Sequence, residues 1–264
     1  MPSSAKERRE RAAQARAAAE AGTVRRERFV RIIGGSVVVL VVVGIIGGAW
    51  WVSSNESESS ALVVAEADPN APLPTGVRGP DDDFAFAVPF GQGAQTAPTV
   101  EIWEDMQCPA CGDLEAAAGE QLAAAAESGD IQLLWRPVTF LDRGTDASTR
   151  AVAAWGCAID ADKTREYHDR IYLDQPQAGE GWTDAQLLQY GEDVGITGAD
   201  FEVFSQCLLD RTYASWAANS TLAAIEAGVQ GTPTVFVDGA EAIDGQAAAV
   251  LLRADPNLFF ESIR

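Results

Sequence analysis

The chain has 264 residues, with 19 Lys and Arg against 39 Asp and Glu, and a formal net charge of −20. That length holds one good-sized domain plus accessory segments. The acidic balance argues against a nucleic-acid binder, because phosphates demand a surplus of Lys and Arg.

The charge is unevenly spread. Residues 1–31 carry nine Lys and Arg and four Asp and Glu, a net of +5; residues 53–264 carry ten and 35, a net of −25. Between them, residues 32–52 (IIGGSVVVLVVVGIIGGAWWV) run for 21 positions without a charge. About 20 apolar residues suffice to cross a bilayer as a helix. Trp50 and Trp51 at the far end suit the membrane interface. The basic flank stays on the cytoplasmic side, so the pattern predicts a single-pass transmembrane helix with a cytoplasmic tail over 1–31 and residues 53–264 outside. A cleaved signal peptide is the competing reading. Its apolar region usually spans only ~7–15 residues, and the small-residue stretch Ala61–Ala65 lies well downstream.

Residues 53–83 contain SSNESESS, ADPNAPLPTG and GPDDD. This Ser-, Pro- and Asp-rich composition predicts an acidic tether. From Phe84 to the C-terminus the pattern is that of a folded domain. Phe84, Phe86 and Val88 alternate with small residues, which predicts a strand. Thr99–Trp103 predicts a second strand, residues 114–125 a helix ending near Gly129, and Ile131–Val138 a third strand. Helices are expected at Ala147–Asp160, Thr164–Leu173, Thr183–Val194 and Asp200–Val229, with Thr183 and Asp200 as N-caps. Strands return at Thr234–Val237 and near Glu241–Ile243 around an Asp238-Gly239 turn. A last helix from Gln246 to Ala254 is expected to stop at Asp255-Pro256. The sum is a mixed sheet covered by helices, with a helical block at about 145–228.

Two short motifs carry the chemistry. Cys108-Pro109-Ala110-Cys111 lies where the second strand gives way to a helix, and Gly231-Thr232-Pro233 precedes a later strand. A helix N-terminus lowers a cysteine's pKa from about 8.5, through its unpaired N–H groups and positive dipole end. Pro109 fits the first helical position, where its missing N–H costs nothing. Cys108 is therefore expected to be the attacking thiol and Cys111, one turn on and more buried, the resolving one. Ala110 is expected to offer the Cys108 sulfur neither a hydrogen bond nor a charge. A zinc site would need a second close pair of ligands. None exists, because Cys157 and Cys207 are isolated and His168 is the only histidine. No metal is expected, and His168 is read as a helix-surface or packing residue. Cys157 and Cys207 sit in separate helical stretches among apolar neighbours. They are either bridged or two buried thiols, and an extracytoplasmic compartment favours the bridge.

The order of these motifs resembles the DsbA-like branch of the thioredoxin superfamily, from about Phe84 to the C-terminus. Glu104 to Cys111 looks like that branch's active-site approach. Glu166-Tyr167-His168-Asp169 through Ile171-Tyr172, then Leu187-Leu188, resembles its helical insertion. Gly231-Thr232-Pro233-Thr234 resembles its cis-proline loop. The resemblance implies a thioredoxin fold with an inserted helical subdomain over residues 84–264. It implies a cis Thr232–Pro233 bond beside Cys108, with the Thr232 backbone able to pair with a client peptide as an added strand. Two positions depart from the pattern. Relatives with strongly oxidising sites often carry His where this chain has Ala110, and many carry a buried acid six residues before the first Cys, where this chain has Ile102. The expected function is a membrane-anchored oxidoreductase that introduces disulfides into reduced secreted proteins. By resemblance it would be reoxidised by a quinone-linked membrane oxidase of the DsbB or vitamin-K-epoxide-reductase type. Two alternatives stay open: a reductase or isomerase using the same site, and a binding or chaperone-like module whose dithiol is incidental.

Overall fold

The computed structural model describes residues 65–92, 96–177, 179–239 and 245–263. The expected membrane span at 32–52, the cytoplasmic tail and the strand near Glu241–Ile243 lie outside these residues. Among the described residues no helix is long and apolar enough to cross a membrane.

A four-stranded sheet forms the centre. Its strands are β1 (Val88–Phe90), β2 (Thr99–Glu104), β3 (Gln132–Pro137) and β4 (Thr234–Val237), in the spatial order β1-β3-β2-β4. β2 and β3 run parallel, with Ile102 opposite Trp135; β1 is antiparallel to β3 and β4 antiparallel to β2. Side chains alternate between the two faces of a strand. One face sends Val100, Ile102, Leu133, Trp135, Val235 and Val237 into the main core. The other carries Trp103 and Phe236, which pack with Val138, Ala224 and Val229. On that second face Arg136 pairs with Glu101 at 2.6 Å and lies 3.9 Å from the centre of the Trp103 ring. Both groups are buried, so the pair survives burial only because each charge satisfies the other.

The helix after β2 starts at Pro109, the first helical position expected of it, rather than at Leu114. α1 (Pro109–Leu114) begins directly after Cys108, passes through a π-helical turn at Glu115–Gly119, and continues as α2 (Glu120–Ser128) to Gly129. Gly129 adopts φ +83°, the left-handed conformation that ends helices at little cost. Between β3 and β4 come α3 (Ala147–Asp160), α4 (Thr164–Leu173), α5 (Asp184–Asp193), α6 (Gly198–Leu209) and α7 (Ala214–Glu226). Thr183 caps α5 in a reciprocal capping box with Gln186. Trp135, Trp155, Trp182 and Trp216 are all buried.

Four details differ from the sequence pattern. Phe84 and Phe86 sit at φ +60° and +67°, so the expected strand is a turn and pairing begins only at Val88. The stretch Asp200–Val229 is two helices, broken where Arg211 adopts φ +55° and turns its guanidinium onto Asp184 at 2.6 Å. The cap of α6 is Thr197 rather than Asp200. Asp255-Pro256 ends α8 (Gly245–Ala254) but also starts α9 (Pro256–Ser262), since Asp255 accepts from the Leu258 N–H and proline suits a first helical position. The Pro-rich half of the expected tether is docked on the domain: Thr75 donates to Asp160, Asn219 donates to the Asp68 carbonyl, and Leu73 and Val77 pack on the core.

Cys157 of α3 and Cys207 of α6 are joined, closing a loop with a sequence separation of 50. In the chain-entropy account a loop of that size stabilises by roughly 4 kcal/mol. Replacing both cysteines with Ala is therefore expected to lower the urea-unfolding free energy by about that amount. A loss near zero would mean that the bridge does not constrain the unfolded chain.

Candidate active site

The site begins with the way β2 ends. Every residue of β2 is buried, so the strand cannot shift without moving the core. Beyond Glu104 the chain turns through Asp105, whose carboxylate accepts from the Gln107 N–H (2.9 Å), the Leu141 N–H (3.0 Å) and the Ser148 hydroxyl (2.6 Å). Burial, only partly offset by these bonds, pushes the Asp105 carboxyl up to about 6. The Asp105 carbonyl accepts from the Cys108 N–H at 2.8 Å. Gln175, just after α4, donates to the Met106 and Cys108 carbonyls at 2.7 and 3.0 Å. The loop before the dithiol is thus tied to the helical block on both sides.

Cys108 is the residue that caps α1, with extended backbone (φ −77°, ψ 117°) and Pro109 in the first turn. Its sulfur is half-buried, whereas Cys111 is fully buried. The Thr232–Pro233 bond is cis, and it brings the Thr232 carbonyl to 3.4 Å from the Cys108 sulfur. That carbonyl accepts from the thiol and would by itself favour the protonated form. Stronger donors overrule it. The Cys111 thiol, the Thr232 hydroxyl and the N–H groups of Cys111 and Ala110, working against burial, pull Cys108 down to about 5. The Ala110 backbone therefore does reach the sulfur, although its side chain offers nothing. Cys111 moves the opposite way, well above the ordinary thiol range. Burial is the main cause, followed by its bond to Cys108 and the charges of Cys108 and Glu104. Beside the dithiol lies a groove of about 210 Å³, lined by Ala110, Thr232, Pro233, Ala249, Val250 and Arg253.

Behind Cys111 lies a group that the motif reading missed. Glu104 and His168 are both fully buried, with His168 Nε2 2.6 Å from Glu104 Oε1. Burial alone would lower His168. The Glu104 charge and the hydrogen bonds to Asp169 and Glu104 outweigh it and raise the imidazole to about 10, so it is a cation at neutral pH. The His168 ring packs between Trp135, Trp155 and Tyr172. Of the two readings of His168, surface or packing, the structure bears out packing, and the ring is also ion-paired to Glu104. A buried acid does therefore stand near the dithiol, four residues before Cys108 rather than at Ile102, which is an ordinary core residue. Glu115 completes the group, and its oxygen, a Glu104 oxygen and a His168 nitrogen lie within 4.8 Å of one another, close enough to share one cation. The ion pair already satisfies His168 from within. Only the sequence positions Glu104 and His168 were visible beforehand. Their meeting across 64 residues of chain had no local signal.

Residues 89–253 match the family described as Thioredoxin. The chain belongs to that family, and it carries helices between β3 and β4. Its fold is that of solved thiol-disulfide oxidoreductases. MdbA from Actinomyces oris is 20% identical with a TM-score of 0.54, covering 67% of this chain and 87% of that one. Oxidised BdbD from Bacillus subtilis is 18% identical with a TM-score of 0.55, covering 75% and 99%. Reduced DsbG from Mycobacterium tuberculosis is 23% identical with a TM-score of 0.53, covering 67% and 91%. At such identities the likeness is one of fold. Among curated proteins, the Na(+)/H(+) antiporter NhaA 3 of Salinispora tropica is 32% identical over 149 residues, which are 56% of this chain and 21% of that protein. NhaA 1 of Salinispora arenicola is 33% identical over the same length and share. The chain thus spans about a fifth of the length of the curated relatives it matches.

The reduced protein is expected to be alkylated by iodoacetamide at Cys108 alone, with a rate half-maximal near pH 5 and flat through pH 8. A half-maximum near the ~8.5 of a free thiol, or equal labelling of Cys111, would contradict the assigned environments.

Proposed function

We propose that this thioredoxin-family protein is a membrane-anchored, extracytoplasmic thiol:disulfide oxidoreductase that introduces disulfides into reduced secreted proteins. The observation that carries the reading is the placement of Cys108, a half-buried sulfur at the start of α1 and 3.4 Å from the Thr232 carbonyl, where the surrounding donors hold its pKa low. A client thiolate attacks Cys108 in the Cys108–Cys111 disulfide, Cys111 leaves, and a second client thiolate displaces Cys108 to complete the client's own disulfide. A thiolate that leaves easily favours the reduced protein and so makes the disulfide an oxidant. The sign follows from linkage. The Cys108 pKa lies below that of a free thiol, so its stabilisation of the reduced form is full above the ~8.5 of a free thiol and is lost as the pH falls from there through about 5.

Pro109 fixes the first turn of α1. Ala110, Thr232 and Pro233 line a groove beside the dithiol, which supports a client segment lying there with the Thr232 backbone as its pairing edge. Reoxidation of the dithiol falls to a quinone-linked membrane oxidase of the DsbB or vitamin-K-epoxide-reductase type. The apolar stretch 32–52, between a basic tail and an acidic remainder, supports an anchor with residues 53–264 outside. An anchor raises the local concentration of enzyme at such a partner. The antiporter relatives do not alter this reading, because the activity named for them belongs to proteins nearly five times the matched length.

Oxidised protein added to reduced, unfolded ribonuclease is expected to restore ribonuclease activity, and Cys108→Ser to abolish the effect. Equal restoration by the Cys108→Ser variant would remove the catalytic reading. A reporter fused after residue 264 is expected to be active only outside the cytoplasm, and cytoplasmic activity would remove the topology.

A further inference from the structure

The groove beside the dithiol carries one charge. Ala110, Thr232, Pro233, Ala249 and Val250 line it without any, and Arg253 supplies the cation. Ala249, Val250 and Arg253 are spaced i, i+1 and i+4 along α8, so they share the helix face that looks onto the groove. The cation stands out against its domain, because residues 53–264 carry ten Lys and Arg and 35 Asp and Glu. The arginines of the other ion pairs, Arg136, Arg150, Arg165, Arg170 and Arg211, each reach a carboxylate at 2.6 or 2.8 Å and are mostly covered. Arg253 is different. Its side chain is 42% exposed, and among the described residues it meets one carboxylate, Asp113 of α1, at 3.5 Å; the Asp113 side chain is 70% exposed. A surface pair of that kind contributes little and is readily exchanged for another carboxylate.

We infer that Arg253 is a specificity-determining residue, which selects clients with an acidic side chain two residues from the reacting cysteine. The inference rests on the oxidoreductase reading and names the client class of that same site. A client that pairs with the Thr232 backbone is extended, and alternate side chains of an extended chain share a face. With the client cysteine turned to Cys108, the side chains two positions away on either side turn the same way, roughly 7 Å off along the strand. One of them meets Ala249 and Val250 and, where it is Asp or Glu, takes the place of Asp113 on the guanidinium. The guanidinium fork suits a carboxylate, which accepts two parallel N–H bonds from it. A client lying over Val250 also excludes water from the pair and so strengthens it. The exchange itself is unchanged: two client thiols become a disulfide, and the Cys108–Cys111 disulfide takes up the two electrons and two protons to become the dithiol.

Neither the helix nor the net charge would produce this choice. A cation in the last turn of α8 suits the helix dipole, but that effect leaves the choice of client untouched. The charge of the domain as a whole acts in the opposite sense, because its surplus of Asp and Glu attracts cationic clients and repels acidic ones. Selection of an acidic client therefore needs a local cation in the groove, where Arg253 stands.

The test is the oxidation of two-cysteine peptides by the oxidised full chain, with Glu, Gln or Lys placed two residues from each cysteine. Each rate is divided by that of the same peptide with hydroxyethyl disulfide, a small neutral oxidant, which corrects for the peptide's own thiolate fraction. At low salt the native protein is expected to favour the Glu over the Gln peptide by on the order of 10-fold. Most of that preference should vanish in about 0.5 M salt. Arg253→Gln should abolish the preference, Arg253→Glu should reverse it toward Lys, and Arg253→Lys should keep part of it. Asp113→Asn acts on the same guanidinium from the other side, by removing the competing carboxylate, and should widen the preference. A native protein that oxidises the Lys peptide fastest, an Arg253→Gln variant that keeps the native ratio of Glu to Gln, or an Asp113→Asn variant with a narrower ratio overturns the assignment. Native protein that oxidises none of the peptides overturns instead the oxidoreductase reading beneath it.

Discussion

One negative charge on one sulfur organises this molecule. The Cys108 thiolate needs donors, and the chain supplies them from the first turn of α1, from the Cys111 thiol and from the Thr232 hydroxyl. Those donors work only if β2, α1 and the loop before β4 meet at one point. The fully buried β2, the Asp105 carboxylate and the double reach of Gln175 are the means by which they do. Helix dipole and unpaired N–H groups act over the first turn only, so a displacement of the strand end by a few ångströms would leave an ordinary thiol. The architecture of the sheet is in this sense a requirement of the sulfur.

The two cysteines of the motif differ because their surroundings differ. Cys108 lies half in solvent among donors. Cys111 is fully buried, near a carboxylate, where a negative charge is costly. The same burial explains the Glu104–His168 pair. Neither charge would be tolerable alone in that core, and each removes the cost of the other. A core built of aromatic rings around an ion pair is a place where a proton can be held away from bulk water. A pocket opens beside this group on the side of Glu115.

Much of this was legible in the chain. α3, α4 and β4 have the bounds that their apolar spacing suggests, and Thr183 announces α5 by its capping chemistry. These features are local, so a local reading finds them. The failures are equally physical. Phe84 and Phe86 alternate like strand residues, but positive φ values turn the chain there, and alternation carries no information about φ. Asp255-Pro256 reads as a stop, yet the same pair is a good helix start, and only packing decides that a second helix follows. The π-helical turn has no signature in EAAAG. Within the site, Cys108 and Cys111 are conspicuous because only two residues separate them. Glu104 and His168 are not, because a contact across 64 residues is set by tertiary packing. The buried acid of β2 near the dithiol is Glu104, two residues beyond Ile102 on the same strand.

The most direct measurement is the equilibrium reduction potential of the Cys108–Cys111 couple, determined against glutathione. A thiolate held as this site holds it stabilises the reduced form, so the potential should lie well above the roughly −270 mV of thioredoxin and toward the roughly −120 mV of DsbA. A value at or below that of thioredoxin would contradict the account, because the charge on Cys108 would then contribute nothing to the balance between dithiol and disulfide.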